Sequence, residues 1–458
     1  MPGHGRLASA LLLTTVLSAC SMMPTYERPA SPVPAAWPVA EAAAPSGPAA
    51  VPVWSSFVAE PKLREVIALA LAQNRDLRVA TLNIEQVRAQ YQIRRADQFP
   101  TVNLAASGNR QPASGGGINS TYSVGFALSS WEIDFFGRIA SLKEAALAQF
   151  LASEEAQRAA QTSLVASVAS TWLSVQASSE LLDVTQRSQR TREESLRLIR
   201  LRFDNGAASA LDLRQGESLA ASARASLAQI QRQRAQDINA LNLLVGGAVP
   251  VALLPTASDA AVLNPVPAGL PSELLNRRAD IRQAEQQLVA ANANIGAARA
   301  AFFPRISLTA SLGTASSDLS GLFGSGSWGF TLAPQALLPI FDAGRNQANL
   351  QVATVSRDIA VAQYEKAIQT AFREVADALA ANATLGEQLS AQQALAQAET
   401  ERLRLADLRY RNGVANYLDV LDAQRSLFAA QQSLTQTRLI EKQNQVALYK
   451  ALGGGWSQ

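Results

Sequence analysis

The chain of 458 residues repeats itself. At an offset of about 205 residues, Asp76-Leu77-Arg78 returns as Asp280-Ile281-Arg282, and Phe99-Pro100-Thr101-Val102-Asn103-Leu104 returns as Phe303-Pro304-Arg305-Ile306-Ser307-Leu308. Gly137-Arg138 returns as Gly344-Arg345. Arg202-Phe203-Asp204-Asn205-Gly206 returns as Arg409-Tyr410-Arg411-Asn412-Gly413, followed in both copies by Leu-Asp, at Leu211-Asp212 and Leu418-Asp419. A duplicated chain must fold each half in one order of elements. Here that order is helix, paired strands, a very long helix, a turn and a long returning helix.

The strands are marked by alternation with period two, near 101–110, 121–132, 305–314 and 327–338. Val102, Leu104 and Ala106 alternate with small or polar neighbours, as do Tyr122, Val124, Phe126 and Leu128. Ile306, Leu308, Ala310 and Leu312, then Trp328, Phe330 and Leu332, repeat the pattern in the second half. One greasy face and one small, polar face suit a β-barrel with lipid outside and water inside. Two hairpins of a soluble sandwich would share the alternation. Four strands cannot close a barrel, however, and open edges are not tolerated in lipid. Copies of the chain must therefore pool strands: two copies would fill the lumen with side chains, whereas three can leave a channel.

The helices carry heptad seams. Leu182, Gln189, Leu196 and Phe203 are spaced by seven, as are Leu389, Ala396, Leu403 and Tyr410. A second seam runs through Val184, Thr191 and Leu198, matched by Ala391, Ala398 and Leu405. Two seams let a helix pack neighbours on both sides, as a closed cylinder of helices requires. Stretches 138–204 and 345–411 would each measure on the order of 100 Å if continuously helical.

The N-terminus fixes the address. Residues 7–19 are apolar but shorter than the roughly 20 residues of a spanning helix, and Leu17-Ser18-Ala19-Cys20 reads as a bacterial lipobox. Segment 1–19 is a cleaved export signal, and Cys20, the only cysteine, becomes the acylated first residue. Ser21 in place of Asp points to the outer membrane by resemblance to other lipoproteins. The sole histidine, His4, leaves with the signal, so the mature chain has neither imidazole nor free thiol. That excludes His or Cys catalysis and zinc-type ligation, and no cofactor or metal set stands out. The formal charge of +3, less one for Arg6, is too even for a nucleic-acid binder. The chain reads as a non-enzyme. Beyond the signal, 20–60 form an extended Pro- and Ala-rich arm, 61–246 the first repeat, 247–271 a Pro-rich equatorial linker, 272–452 the second repeat and 453–458 a tail.

With these residues in place, the chain resembles the outer-membrane factors of tripartite efflux systems, of the lipoprotein type named after the Pseudomonas efflux channel or the nodulation-type lipoproteins. The resemblance is carried by the run from Arg409 to Arg425, by Pro339-Ile340-Phe341-Asp342-Ala343-Gly344-Arg345, and by the ending Ala447-Leu448-Tyr449-Lys450-Ala451-Leu452-Gly453-Gly454-Gly455-Trp456. It implies a mostly α fold with transmembrane β: coiled-coil helices forming a periplasmic α-barrel, and four strands per chain contributing to a trimeric, twelve-stranded outer-membrane barrel. It further implies a passive exit duct. The implied partners are a homotrimer, a periplasmic adaptor, an inner-membrane transporter of the resistance-nodulation-division type and outer-membrane lipid. A coiled-coil spacer tethered by its acyl chain is the competing reading, and it leaves four amphipathic strands without purpose.

Two constellations are candidate sites. Asn205-Gly206 and Asn412-Gly413 punctuate a helix and its return; the resemblance implies that these tips meet the adaptor. Leu418, Asp422 and Arg425, spaced i, i+4, i+7, share one helix face. Taken alone, Asp422 and Arg425 are a solvated pair contributing roughly 0.3 kcal/mol. By resemblance they match the family's periplasmic gate, with Leu418 as plug and the pair as latch. The first half has Gln215 and Ser218 at the latch positions, so such a latch would be asymmetric.

Overall fold

The computed structural model describes residues 21–37, 51–112, 114–256, 262–266 and 274–454. The export segment, Cys20 and residues 455–458 lie outside the described residues. The first half runs α1 (Trp54–Phe57), α2 (Pro61–Gln73), α3 (Arg75–Ala96), β1 (Val102–Pro112), β2 (Ile118–Ile133), α4 (Arg138–Asp204) and α5 (Ala210–Val245). The second runs α6 (Leu274–Arg277), α7 (Ala279–Ala300), β3 (Arg305–Ser316), β4 (Trp328–Leu337), α8 (Arg345–Arg411) and α9 (Tyr417–Ala451). Duplication extends to length: α3 and α7 have 22 residues each, α4 and α8 have 67 each, and α5 and α9 have 36 and 35. Helix α4 persists because it contains neither glycine nor proline and is rich in Ala, Leu, Gln and Arg. Among the described residues no helix is long and apolar enough to cross a membrane.

The chain divides into two compact units. One comprises Leu82–Glu155, Arg282–Lys366 and the described part of Met1–Ser31. Its centre is a four-stranded antiparallel sheet in the order β1-β2-β3-β4. The register puts the greasy residues on one face: Leu104 opposes Phe126, Phe126 opposes Leu312, and Leu312 opposes Phe330. This face is bare in the single chain, with Phe330 79% exposed. On the other face Ser107 and Ser123 share a 2.8 Å hydrogen bond. Alternation breaks at a bulge between Leu128 and Trp131, where Ser130 has a φ of 46°. The one extra residue brings Trp131 opposite Leu308 and Ile133 opposite Ile306, so both join the apolar face. Sequence alternation followed through Ser129 does not reveal this shift.

Strand gives way to helix through repeated chemistry. Asp134 accepts from the Ala140 N–H at 2.7 Å, and Asp342 accepts from Gly344 and Asn346 at 3.0 and 2.9 Å. These carboxylates satisfy N–H groups that a helix start leaves open. Glu132 ties the junction together, accepting from Arg138 at 2.8 and 2.7 Å and from Arg305 at 2.5 Å. Along α7 lies the extended chain of the N-terminal arm. Arg28 donates two 2.7 Å bonds to Glu285, Tyr26 donates to the same carboxylate at 3.2 Å, and Asn292 donates to the Pro24 carbonyl at 2.8 Å. At Gly296 an added Cβ would lie 2.7 Å from Met23 Cα, so only glycine lets the arm pass so close.

The second unit contains Ala156–Ile281, Ala367–Gln458 and Pro32–Thr81, so far as they are described. Its core packs α2 against the middle of α4 and the ends of α5 and α9, around Leu63, Ile67, Trp172, Leu173, Leu241 and Tyr449. Phe57 stacks on Tyr449 with centroids 4.1 Å apart, and Trp172 donates to the Leu253 carbonyl at 3.2 Å. The Pro-rich segment expected as a linker takes part: Val249, Leu253 and Val262 are buried in this core, and Leu263 pairs with Val58. Proline ends the helical period here while the intervening apolar residues still dock.

Candidate functional site

The tips of the two helical hairpins end alike. Gly206 and Gly413 have φ values of 73° and 72°, the left-handed conformation glycine adopts without strain. Around them Ala207 N–H bonds Arg202 O at 2.7 Å and Gly206 N–H bonds Phe203 O at 2.9 Å. In the second half Val414 bonds Arg409 O and Gly413 bonds Tyr410 O, both at 3.0 Å. This is the Schellman pattern, made twice. Asn205 and Asn412 each donate 2.7 Å bonds to the carbonyl four residues back. All four tip residues are exposed. The returning helices start differently: Ser209 and Asp212 form a reciprocal capping box, whereas Asn416 accepts from the Leu418 N–H.

Leu418, Asp422 and Arg425 lie on one open face of α9, and Leu418 is 44% exposed. Val420, Leu421, Ala423 and Gln424 turn inward. The expected Asp422–Arg425 contact is 3.9 Å, beyond hydrogen-bond reach. Asp422 instead accepts from Arg402 of α8 at 2.5 Å, and Arg402 also reaches Glu399 and Ser426, both at 3.3 Å. The Asp422 bond, then the Glu399 bond, hold the Arg402 guanidinium above its ordinary pKa. A helix-to-helix bridge thus stands where sequence spacing indicated a pair within one helix. Arg402 lies twenty residues from Asp422 with a turn between, so no spacing rule within one helix could find it.

The first hairpin has its own bridge at other positions, Arg200 of α4 to Glu217 of α5 at 3.2 Å, with Arg214 also on Glu217 at 2.7 Å. Among the described residues Gln215 and Ser218 make no such bridge. A link between the halves joins α4 to α8: Arg202 donates to the Tyr410 hydroxyl and lies over its ring at 5.0 Å. Tyr410 in turn packs at 4.6 Å, tilted, against Tyr417. Residues 202 and 410 belong to the repeated tip motif, which signalled helix punctuation but not contact. Their chemistry holds helices together; it presents no set of groups converging on a reacting atom.

Comparison with known proteins follows the same lines. The family described as outer membrane efflux protein matches residues 66–247 and again 270–454, once for each half. The chain is 49% identical over 456 residues to the solvent efflux pump outer membrane protein SrpC of Pseudomonas putida, covering 96% of this chain and 97% of that protein. A crystal structure of a membrane protein from Pseudomonas aeruginosa superposes with a TM-score of 0.89 at 48% identity, covering 95% of this chain and 98% of the other. The open state of the Neisseria gonorrhoeae MtrE outer membrane channel superposes with a TM-score of 0.85 at 40% identity, covering 95% and 98%. Relatives of this kind are transport channels. The duplicated helices, the sheet with one apolar face and these likenesses lead to one conclusion: the chain belongs to the outer membrane efflux protein family and is the outer-membrane channel component of a tripartite efflux system, with a large periplasmic helical part.

Proposed function

We propose that three copies of this chain close a twelve-stranded barrel and form a passive exit duct, without catalysis, for cargo delivered by an inner-membrane pump through a periplasmic adaptor. The observation that carries this reading is a sheet whose edges β1 and β4 are both unpaired among the described residues while the middle of one face, from Leu104 through Phe126 and Leu312 to Phe330, is apolar. Lipid accepts such a sheet only when its edges are satisfied by neighbours. The helices support the same assembly. On α4 the buried line is Thr185, Arg192 and Ile199, while the expected seam through Leu182, Gln189 and Leu196 is half-buried and Thr191 and Leu198 are open. A seam left open in one chain suits packing by the next copy.

Acylation of Cys20 fits the course of the arm. Between Glu285 and Gly296 α7 rises roughly 16 Å, and Arg28 to Met23 spans about the same in extended chain. The arm runs antiparallel to α7 and so heads toward the helix end that leads into β3. In the same reading Asn205, Gly206, Asn412 and Gly413 meet the adaptor, and Leu418, Asp422 and Arg425 close the periplasmic mouth, with Arg402 as the cation that holds Asp422. The polar face of the sheet is lined mostly by Ser, Thr, Gly and Ala, with Asn and Gln at Asn103, Asn109 and Gln335, all neutral groups that offer little stereochemical selectivity. Cargo choice then rests with the pump, and the likeness to the solvent efflux protein SrpC favours organic solvent as one cargo class for this duct.

Conductance of the purified protein in planar bilayers tests the duct and its gate together. The parent should form small, stable channels. Asp422→Ala with Arg402→Ala should raise the conductance severalfold, because charge-assisted contacts repeated by symmetry bias a closed state. Gln215→Ala with Ser218→Ala should change little. No channel from correctly assembled parent protein would overturn the duct; an unchanged conductance in the Asp422/Arg402 variant would overturn the gate alone.

A further inference from the structure

Arg192 of α4 is only 4% exposed, and its Nε finds no acceptor among the described residues. The acids next to it in sequence are engaged elsewhere: Glu193 accepts from Gln189 at 2.9 Å, and Glu194 from Arg197 at 2.6 Å. Arg192 has instead the face of Phe428, 5.2 Å from its guanidinium carbon. Burial, and then the positive charge of Arg425, push its pKa below the ordinary value. A buried cation of this kind is costly unless an anion compensates it. Arg192 lines a cleft of about 290 Å³ among α4, α8 and α9, where Val184, Leu403, Leu427 and Phe428 stand beside polar Ser188 and Thr191. Gln424, 8% exposed, lines the same cleft; its Nε2 donates to Ser195 while its buried Oε1 has no partner among the described residues.

Two unpaired buried polar atoms in a cleft that also has apolar lining are the makings of a small-molecule site. The volume is on the order of ten water molecules, enough for a compact organic acid and too little for a large drug. We propose that this cleft binds a small organic carboxylate, its charge on the Arg192 guanidinium and its apolar body against Leu403, Leu427 and Phe428. The site does not depend on the gate: neither Arg192 nor Phe428 belongs to the Arg402–Asp422 bridge.

The test uses the purified full-length protein in its native oligomer, titrated with fluorobenzoate and followed by fluorine NMR line broadening. Saturable binding is expected, displaced by unlabelled benzoate. It should weaken about tenfold or more in Arg192→Met, the loss of a charge-assisted contact, and less in Arg192→Lys. Fluorobenzyl alcohol, neutral and of the same shape, should bind about tenfold more weakly than fluorobenzoate. Absence of saturable binding would overturn the proposal, as it would if a neighbouring copy's carboxylate already occupied Arg192. Equal affinity of parent and a folded Arg192→Met variant would also overturn it. Should Arg192→Met fail to assemble, the neutral probe decides: alcohol and acid binding equally well to the parent excludes an anion site.

Discussion

At Gly313 an added methyl would lie 2.3 Å from the Val124 carbonyl oxygen and 2.5 Å from Gly125 Cα, both backbone atoms that cannot step aside. Gly329, directly opposite Gly313 on β4, has nothing within 4 Å of the same position. Gly313→Ala should therefore sharply reduce the yield of assembled oligomer, while Gly329→Ala should leave it near parent level, as measured by the heat-resistant band in mild detergent. Equal yields would mean that the close approach of β2 and β3 is not required. Asp280 gives a second residue-scale prediction, in solution chemistry. Burial opposes its charge, but hydrogen bonds from Arg278, at 3.0 and 2.6 Å, outweigh this and hold the carboxyl below its usual range. Such a group adds stability above its unfolded pKa of about 3.9, and that stability is lost as pH falls through the lower folded value. The melting-temperature gap between the parent and Asp280→Asn should be steady above about pH 5 and shrink below about pH 4. Parallel curves down to the acid limit would remove Asp280 from the account of acid stability.

The elements show what a period can and cannot say. Leu308 lies on the apolar face and Ser307 on the other. Leu308→Arg should impair membrane assembly, by about 2 to 4 kcal/mol at a bilayer midplane, and Ser307→Arg should be tolerated better. Outer-membrane fractionation of the two variants checks this, and matching yields would reverse the facing of the sheet. Ser129 makes a poor partner for Leu128 in such a test, because the bulge at Ser130 removes it from simple alternation. Period two located all four strands in the chain but could not reveal a one-residue insertion that moves the apolar face from Leu128 to Trp131. Heptad spacing likewise placed long helices correctly. It did not rank the seams: one face of α4 is covered within the chain and the other waits for a neighbour, and the spacing of Leu182 or Leu198 is blind to which neighbour is present.

For the whole molecule, attachment to the membrane has two proposed sources, the barrel and a lipid on Cys20. A single acyl chain is a marginal anchor, so Cys20→Ser should lose fatty-acid label in metabolic labelling while the protein still reaches the outer membrane as oligomer; label retained in the variant would end the lipobox reading. The amino-acid sequence by itself determined the duplication, the order of elements, the amphipathic strands and the glycine stops at Gly206 and Gly413, because each is a local pattern that sterics and solvent impose on a few neighbouring residues. The tertiary structure alone decided the contacts that join distant segments. It paired Asp422 with Arg402 where spacing offered Arg425, joined Arg202 to Tyr410, drew the Pro-rich segment into the core through Leu253 and Val262, and left the buried Arg192 Nε without an acceptor among the described residues. The reason is physical: a side chain's partner is whichever group the packing of other helices brings within reach, and one helix's periodicity holds no record of its neighbour's register.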